Sequence, residues 1–504
     1  MRAHPNAVSP QAVSDEGNFA AEGVHRSDAT AVNKANTRTL YKNREPVYPK
    51  LVHGTFRRAK WAFMILALAV YYILPWIRWP RGGNAPDQAV LADFANARFY
   101  FFWLEIWPQE VYYITGLLIL SALGLFFVTA LFGRVWCGYA CPQTVWTDLY
   151  ILVERAIEGD RNARIRLAKE PWSVSKLTKK LSKHIVWILI AAATGGAFIF
   201  YWHDAPSTFF GLFDGTAPLS AYLFLGILTF TTYLLAGHAR EQVCIYMCPW
   251  PRIQAAMTDA HSLAVTYRYD RGEPRGPHKK GQDWSNRGDC IDCNQCVAAC
   301  PMGIDIRDGA QLECINCALC IDACNEVMDK VNRPRGLIAY DTDLNITNRL
   351  AKKPSTYPFV RPRTVLYASV ISIVGAVMLF SLLNRVDVQL NVIHDRQPPF
   401  VMLSDGSVRN GYTLKIVNRA GMVRNFAIEF DSPVPLSLKL VGAEKDADGL
   451  LQAEVEPDGV RELRIYAVAA KGDVKTNSFP VKIRVRDTQT GVIADSAQVF
   501  LARK

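Results

Sequence analysis

Five stretches of this chain carry no acidic or basic residue over a length that can cross a bilayer: about 61–77, 111–133, 185–202, 215–237 and 364–384. A spanning helix needs ~20 predominantly apolar residues. No soluble core needs five such segments, so the chain is expected to form a five-helix membrane bundle. The first stretch, "WAFMILALAVYYILPWI", is short, but Trp76 and Trp79 at its end suit the interface. The third holds Gly195 and Gly196, a pair that suits close helix packing.

Charge orients the bundle. Residues 1–60 and 134–184 carry ten Lys/Arg each, 78–110 only three, and 203–214 none, while 238–363 is again rich in both. Cytoplasmic loops hold the excess of Lys and Arg. The N-terminus, 134–184 and 238–363 are therefore expected in the cytoplasm, and 385–504 outside. The net charge of +11 then follows from topology, and no nucleic-acid partner is required. Residues 1–45 are polar, lack the apolar segment of a signal peptide, and are expected to be a disordered cytoplasmic tail.

All twelve cysteines fall in the cytoplasmic loops or at their membrane edge, and none in 385–504. Ligands or redox thiols are thus expected rather than disulfides. Eight lie within 35 residues, in "CIDCNQCVAACP" and "CINCALCIDAC". The spacing C-x2-C-x2-C-x3-C-P is that of bacterial two-cluster ferredoxins, in which the fourth thiolate of each run crosses to the other cluster. Cys290, Cys293, Cys296 and Cys324 are expected to hold one [4Fe–4S] cluster. Cys314, Cys317, Cys320 and Cys300 are expected to hold the second. Paired zinc sites would use C-x2-C pairs but have no need of the third cysteine in each run. Asn325, not proline, follows the last cysteine, which leaves the turn there open.

The other four cysteines form a repeat. "RVWCGYACPQTVW" carries Cys137 and Cys141 after the second stretch, and "EQVCIYMCPWPRI" carries Cys244 and Cys248 after the fourth. Each C-x3-C-P ends a helical hairpin at the same expected depth. If the helix continues, the two thiols share a face, and the proline ends or kinks it. Small cysteines can also merely fill a core. A repeated spacing points instead to a four-thiolate site or a relay of dithiols, selecting Cu(I), zinc or iron–sulfur. None of the nine histidines lies inside the five stretches, so no membrane-embedded bis-histidine haem is expected.

Residues 385–504 alternate apolar and polar positions in seven or eight short segments, which predicts an immunoglobulin-like β-sandwich. The expected order is a tail (1–45), a four-helix membrane part of two hairpins (46–260), a two-cluster ferredoxin-like insert (261–335), a basic connector (336–363), the fifth helix (364–384) and the sandwich (385–504).

The stretches "GTFRRAKW", "ILPWIRWP", "FFWLEIWPQE", "RVWCGYACPQTVWTDLY", "VERAIEGDR" and "CIYMCPWPRIQAAM", with the two cysteine runs, resemble the CcoG/FixG/RdxA family over roughly residues 40–504. These are accessory proteins of cbb-type cytochrome c oxidase. The resemblance implies an inner-membrane protein of oxidase assembly, working with copper-delivery proteins and reducing Cu(II) to Cu(I). Copper would then be handled at Cys137, Cys141, Cys244 and Cys248. The C-x3-C-P pairs also resemble membrane ferredoxins of the NapH type, which implies quinol-linked electron transfer without copper. An assembly scaffold with structural clusters is the third alternative. No nucleotide-binding fingerprint is evident, so the electron donor stays open.

Overall fold

The computed structural model describes residues 46–81, 85–278, 283–385, 388–419, 422–441, 451–457, 459–474 and 476–502. The tail expected over 1–45 lies outside the described residues. The chain forms two compact units. One comprises Met1–Ile73, Leu117–Phe200 and Ser207–Ser372, the other Leu74–Gly116, Tyr201–Pro206 and Ile373–Lys504.

Among the described residues, five helices are long and apolar enough to cross a membrane: Thr55–Trp76, Tyr112–Phe132, Val174–Ile199, Leu219–Ala239 and Pro362–Leu383. The third begins well before the charge-free stretch. Ser173 caps it by accepting from the Lys176 amide at 3.2 Å, and its first turns are basic. His184 lies on the basic first part of this helix, just ahead of the charge-free stretch, its ring stacked 5.8 Å from that of His238. Gly195 meets the Leu225 carbonyl and Thr229 amide of the fourth helix, where a Cβ would stand 3.1 Å and 3.3 Å away. Gly195 thus permits the close packing expected, whereas a Cβ on Gly196 would meet only Phe200, at 4.0 Å. The fourth helix loosens into a π-turn over Tyr233–Ala239, Arg240 takes a positive φ of 44°, and a second π-turn follows over Val243–Met247.

The ferredoxin-like part belongs to the first unit. Strands Ala264–Tyr267 and Ile338–Asp341 pair antiparallel around it. The second strand lies in the segment expected to be connector, because Leu337 and Ile338 bury against the cysteine runs.

The second unit carries the sandwich. Its strands are β1 (Val388–His394), β2 (Val401–Met402), β3 (Val408–Asn418), β4 (Arg424–Asp431), β5 (Leu436–Val441), β6 (Leu451–Val455), β7 (Gly459–Ala469), β8 (Ser478–Asp487) and β9 (Ile493–Leu501). One sheet runs β5–β7–β3–β1 with β2 on β3, and the other β6–β4–β8–β9. Alternate residues point inward, so Tyr412, Leu414, Ile416, Phe426, Ile465 and Ile483 fill the core. The same unit holds a three-stranded antiparallel sheet between the first two spans, at Val90–Asp93, Arg98–Phe101 and Leu104–Ile106. Glu110, 3% exposed, receives Arg385 at 2.8 Å and Arg419 at 2.9 Å, tying that segment to the base of the sandwich.

Candidate metal centre and membrane-edge thiols

Both ferredoxin runs use the same backbone device. Asp292 and Asn294 in the first, and Asn316 and Ala318 in the second, take positive φ between 52° and 60°. Asn and Asp tolerate this conformation best among residues with a Cβ. Each run thereby turns tightly through its first two thiols before a helix begins, at Gln295 and at Leu319, and the third thiol lies in that helix's first turn. The first helix stops at Ala299, ahead of Pro301. The second continues through Cys324 to Lys330, because Asn325 breaks nothing. Its side chain instead accepts from the Gly336 amide at 2.9 Å.

The thiols surround two cavities. Cys300, Cys314, Cys317 and Cys320 line one. Cys290, Cys293, Cys296 and Cys324 line the other. Cys296 touches both. Each set mixes three thiols of one run with the last of the other. Four soft anionic donors around such a space fit an iron–sulfur cube. Burial pushes the Cys296, Cys300 and Cys324 thiols up to about 12, and Cys314 to about 11. Metal loading must therefore displace protons.

The C-x3-C-P motifs differ from expectation in one respect. The helix does not continue between the thiols. Cys137 lies in a short helix, Val135–Tyr139, whereas Cys141 is extended and caps a new helix, Pro142–Glu158. Cys248 is likewise extended, between the π-turn holding Cys244 and the helix Trp250–Met257. The proline starts a helix rather than ending one, since a missing N–H costs nothing in the first turn.

The two motifs come together. Gln254, fully buried on the helix after Cys248, accepts from the Cys137 thiol at 3.2 Å and donates to Thr129 at 3.2 Å. Burial, then the neighbouring sulfurs of Cys141, Cys137 and Cys248, push the Cys244 thiol up to about 12. Burial likewise pushes Cys137 up to about 11, against the lowering effect of Arg134. Among the described residues, no group of three or more His, Cys, Asp or Glu side chains closes on a single metal ion, and these four thiols are no exception.

The motifs also seat on the ferredoxin runs. Cys137 and Cys244 share an apolar cluster with Cys300, Cys317, Met302 and Ile315. A Cβ on Gly138 would lie 2.8 Å from the Ile315 carbonyl and 2.9 Å from the Cys317 Cα. The Tyr139 hydroxyl donates to the Cys317 carbonyl at 3.2 Å. Asp322, on the second ferredoxin helix, accepts from the Arg57 amide at 2.7 Å and so caps the first span. An acid at a helix N-terminus is favoured. Sequence reasoning missed Asp322, whose partner is 265 positions away.

Thiol-lined cavities of this kind beside a helical bundle define a membrane-associated iron–sulfur protein, a class that transfers electrons. The matches agree. A 4Fe–4S dicluster domain model matches residues 239–343, a 4Fe–4S binding domain 114–158, and the Ig-like fold at the C-terminus of FixG 378–503. The nitrogen fixation protein FixG of Rhizobium meliloti is 50% identical, covering 89% of this chain and 91% of that protein. RdxB of Cereibacter sphaeroides is 51% identical over 93% of this chain and 98% of its own, and RdxA of the same organism 47% over 90% and 95%. The chain belongs to the FixG/RdxA family.

Proposed function

We propose that this protein is an inner-membrane electron-transfer protein that reduces Cu(II) to Cu(I) during assembly of a cbb-type cytochrome c oxidase. Its partners would be the assembly machinery and copper-delivery proteins. The Lys/Arg alternation supports a cytoplasmic N-terminus and cytoplasmic cysteines, with the sandwich in the periplasm. Cys290, Cys293, Cys296 and Cys324 would hold one cluster, and Cys300, Cys314, Cys317 and Cys320 the other. When bound, each cluster supplies one electron at a time. Cys137, Cys141, Cys244 and Cys248 would receive copper, and soft sulfur favours Cu(I) over Cu(II). As no four of these close on one ion, a relay of two dithiols suits the geometry better than one tetrahedral site. The observation that carries the proposal is that Cys137 and Cys244 share one apolar cluster with Cys300 and Cys317.

The match of 114–158 to a 4Fe–4S binding domain favours a second reading, in which the four membrane-edge thiols hold iron–sulfur themselves. One experiment separates the two. Protein purified anaerobically and chemically reduced is mixed with Cu(II) and a Cu(I)-specific chromogenic chelator, and iron is counted. The copper reading expects fast Cu(I) formation, abolished by Cys137→Ser/Cys141→Ser or by Cys244→Ser/Cys248→Ser with iron content unchanged. The second expects both double variants to lose iron. Undiminished Cu(I) formation in both sinks the copper role of these thiols.

A further inference from the structure

The stretches "ILPWIRWP" and "FFWLEIWPQE" play no part in the electron-transfer reading. They flank and build the three-stranded sheet of the second unit, Val90–Asp93, Arg98–Phe101 and Leu104–Ile106. Alternation gives this sheet two unlike faces. One carries Leu91, Asp93, Arg98, Tyr100 and Glu105. On it Leu91 and Tyr100 are buried, Arg98 pairs with Glu105 at 2.9 Å, and the Arg81 guanidinium lies 5.0 Å over the Tyr100 ring. The other carries Val90, Ala92, Phe99, Phe101, Leu104 and Ile106, without one polar side chain. Phe101 is 51% exposed, and Phe94 and Trp103 in the adjoining turns are 68% and 75% exposed. A sheet with one face in water shows its polar side outward. This one does the reverse.

The hairpin tip is built against local preference. Phe102 and Trp103 form a two-residue turn, and Phe102 takes φ 51°, where glycine or asparagine is favoured. A bulky residue in that region is an outlier, and such outliers persist where a site needs them. The turn carries its rings into one patch: Phe102 lies 5.3 Å from Phe101 and 5.6 Å from Trp79, with Trp103 6.3 Å from Trp79.

Hydrogen bonds fix the level of the sheet at the ends of the membrane helices. The Ala89 amide donates to the Ile77 carbonyl at 2.8 Å, one residue past the first span. The Ala92 amide donates to the Tyr201 carbonyl at 2.8 Å, two residues past the third. Arg385, two residues past the fifth, donates to the Glu105 carbonyl at 2.7 Å. The second span then begins at Tyr112, six residues after the sheet ends. An exposed apolar face at that level meets headgroups and the first carbons of the acyl chains, where aromatic rings are favoured.

We propose that the apolar face of this sheet is seated in the phospholipid interface, as the platform from which the sandwich is held. The face has no Lys or Arg, so its partner is the apolar boundary of a zwitterionic bilayer and not an anionic headgroup. The polar side of the same segment grips the sandwich. Arg419, just past β3, meets Glu110 at 2.9 Å and lies 5.9 Å over the Trp107 ring. This goes beyond the electron-transfer reading and does not rest on it.

The test uses the full chain, labelled with fluorotryptophan, in phosphatidylcholine nanodiscs with no other protein. The Trp103 fluorine resonance is assigned by its loss in Trp103→Phe, a change at an exposed ring. A phosphatidylcholine with a nitroxide near its carboxyl end should broaden that resonance beyond detection. A water-soluble gadolinium chelate should leave it. Phe101→Glu, which places a charge on the central strand of the apolar face, should exchange the two results. A wild-type Trp103 resonance lost to the chelate and kept with the nitroxide lipid overturns the proposal and leaves the face to a protein partner. The wild-type pattern in Phe101→Glu overturns it too, since the apolar face would then not be what holds the sheet on lipid. If Phe101→Glu disturbs the other tryptophan resonances, the two wild-type results decide alone.

Discussion

Gly138→Ala should unseat the first C-x3-C-P motif from the second ferredoxin run. The added methyl would stand 2.8 Å from the Ile315 carbonyl oxygen, 2.9 Å from the Cys317 Cα and 3.0 Å from its amide nitrogen. These neighbours are backbone, so no side chain can swing aside, and reaching ordinary contact at 3.4 Å requires a shift of ~0.6 Å. Overpacking of this kind costs ~1–3 kcal/mol. Against it stands the helix preference of Ala over Gly, ~1 kcal/mol in a long helix and less in the five residues of Val135–Tyr139. The net expectation is a loss of about 1–2 kcal/mol in the docking of the two loops. In a large membrane protein an equilibrium unfolding energy is poorly defined, so the assay is kinetic. Iron release from the loaded protein to a ferrous chelator should accelerate roughly tenfold, the equivalent of ~1.4 kcal/mol. Chemically reduced protein should also pass electrons to Cu(II) more slowly. Gly124→Ala is the control, because a Cβ there meets nothing within 4 Å. If Gly138→Ala and Gly124→Ala release iron and reduce copper at the same rates, the motif does not depend on its seat against Cys317.

Cys290→Ser and Cys324→Ser, 34 positions apart, should damage the same cluster, since both thiols line one cavity. Low-temperature EPR should show cluster–cluster coupling lost in both, and damage by Cys324→Ser to the site of Cys314 would contradict the pairing. Asp322→Ala should fray the start of the first span, a lost cap costing ~1–2 kcal/mol. Amide exchange at Phe56 and Arg57 should then rise about tenfold, Asp322→Asn should keep most of the protection, and unchanged exchange in the alanine variant would show the cap to be idle. Protease added to intact spheroplasts should remove the sandwich and spare the cysteine runs; a protected sandwich would reverse the orientation.

Three parts of this molecule were legible for three different physical reasons. The spans were visible because a bilayer demands uninterrupted apolar length. The sandwich was visible because a sheet with one buried face must alternate, as Ser478–Asp487 does residue by residue. The cavities were visible because a cluster fixes the spacing of its thiols, and the fourth thiol of each run lines the cavity of the other. What stayed hidden is held by partners far apart in sequence. Asp322 sits inside "CIDAC" and looks like any acid of a solvated helix face, yet it is 5% exposed and caps residues near position 57. Asp148 lies on an amphipathic helix as an ordinary polar residue, yet Arg57 and Lys60 bury it. Periodicity reports which face is apolar and is silent on which charge meets which.

The proline of C-x3-C-P was legible as a break but ambiguous in sense. Proline excludes the helix behind it and favours the helix ahead, because it fits the first turn and clashes within the interior. Spacing alone does not choose between them. The structure resolves it identically in both motifs: Cys137 and Cys244 lie in short helical turns, and Cys141 and Cys248 are extended just before a new helix. Two thiols that a continuous helix would have stacked on one face are thus set on two elements meeting at a corner. That corner is what lets Gly138 and Tyr139, the residues between the first pair, reach the Cys317 loop. A straight helix would stack the same cysteines on one face and turn the residues between them away from that face. The first motif therefore encodes a docking geometry as well as a pair of donors.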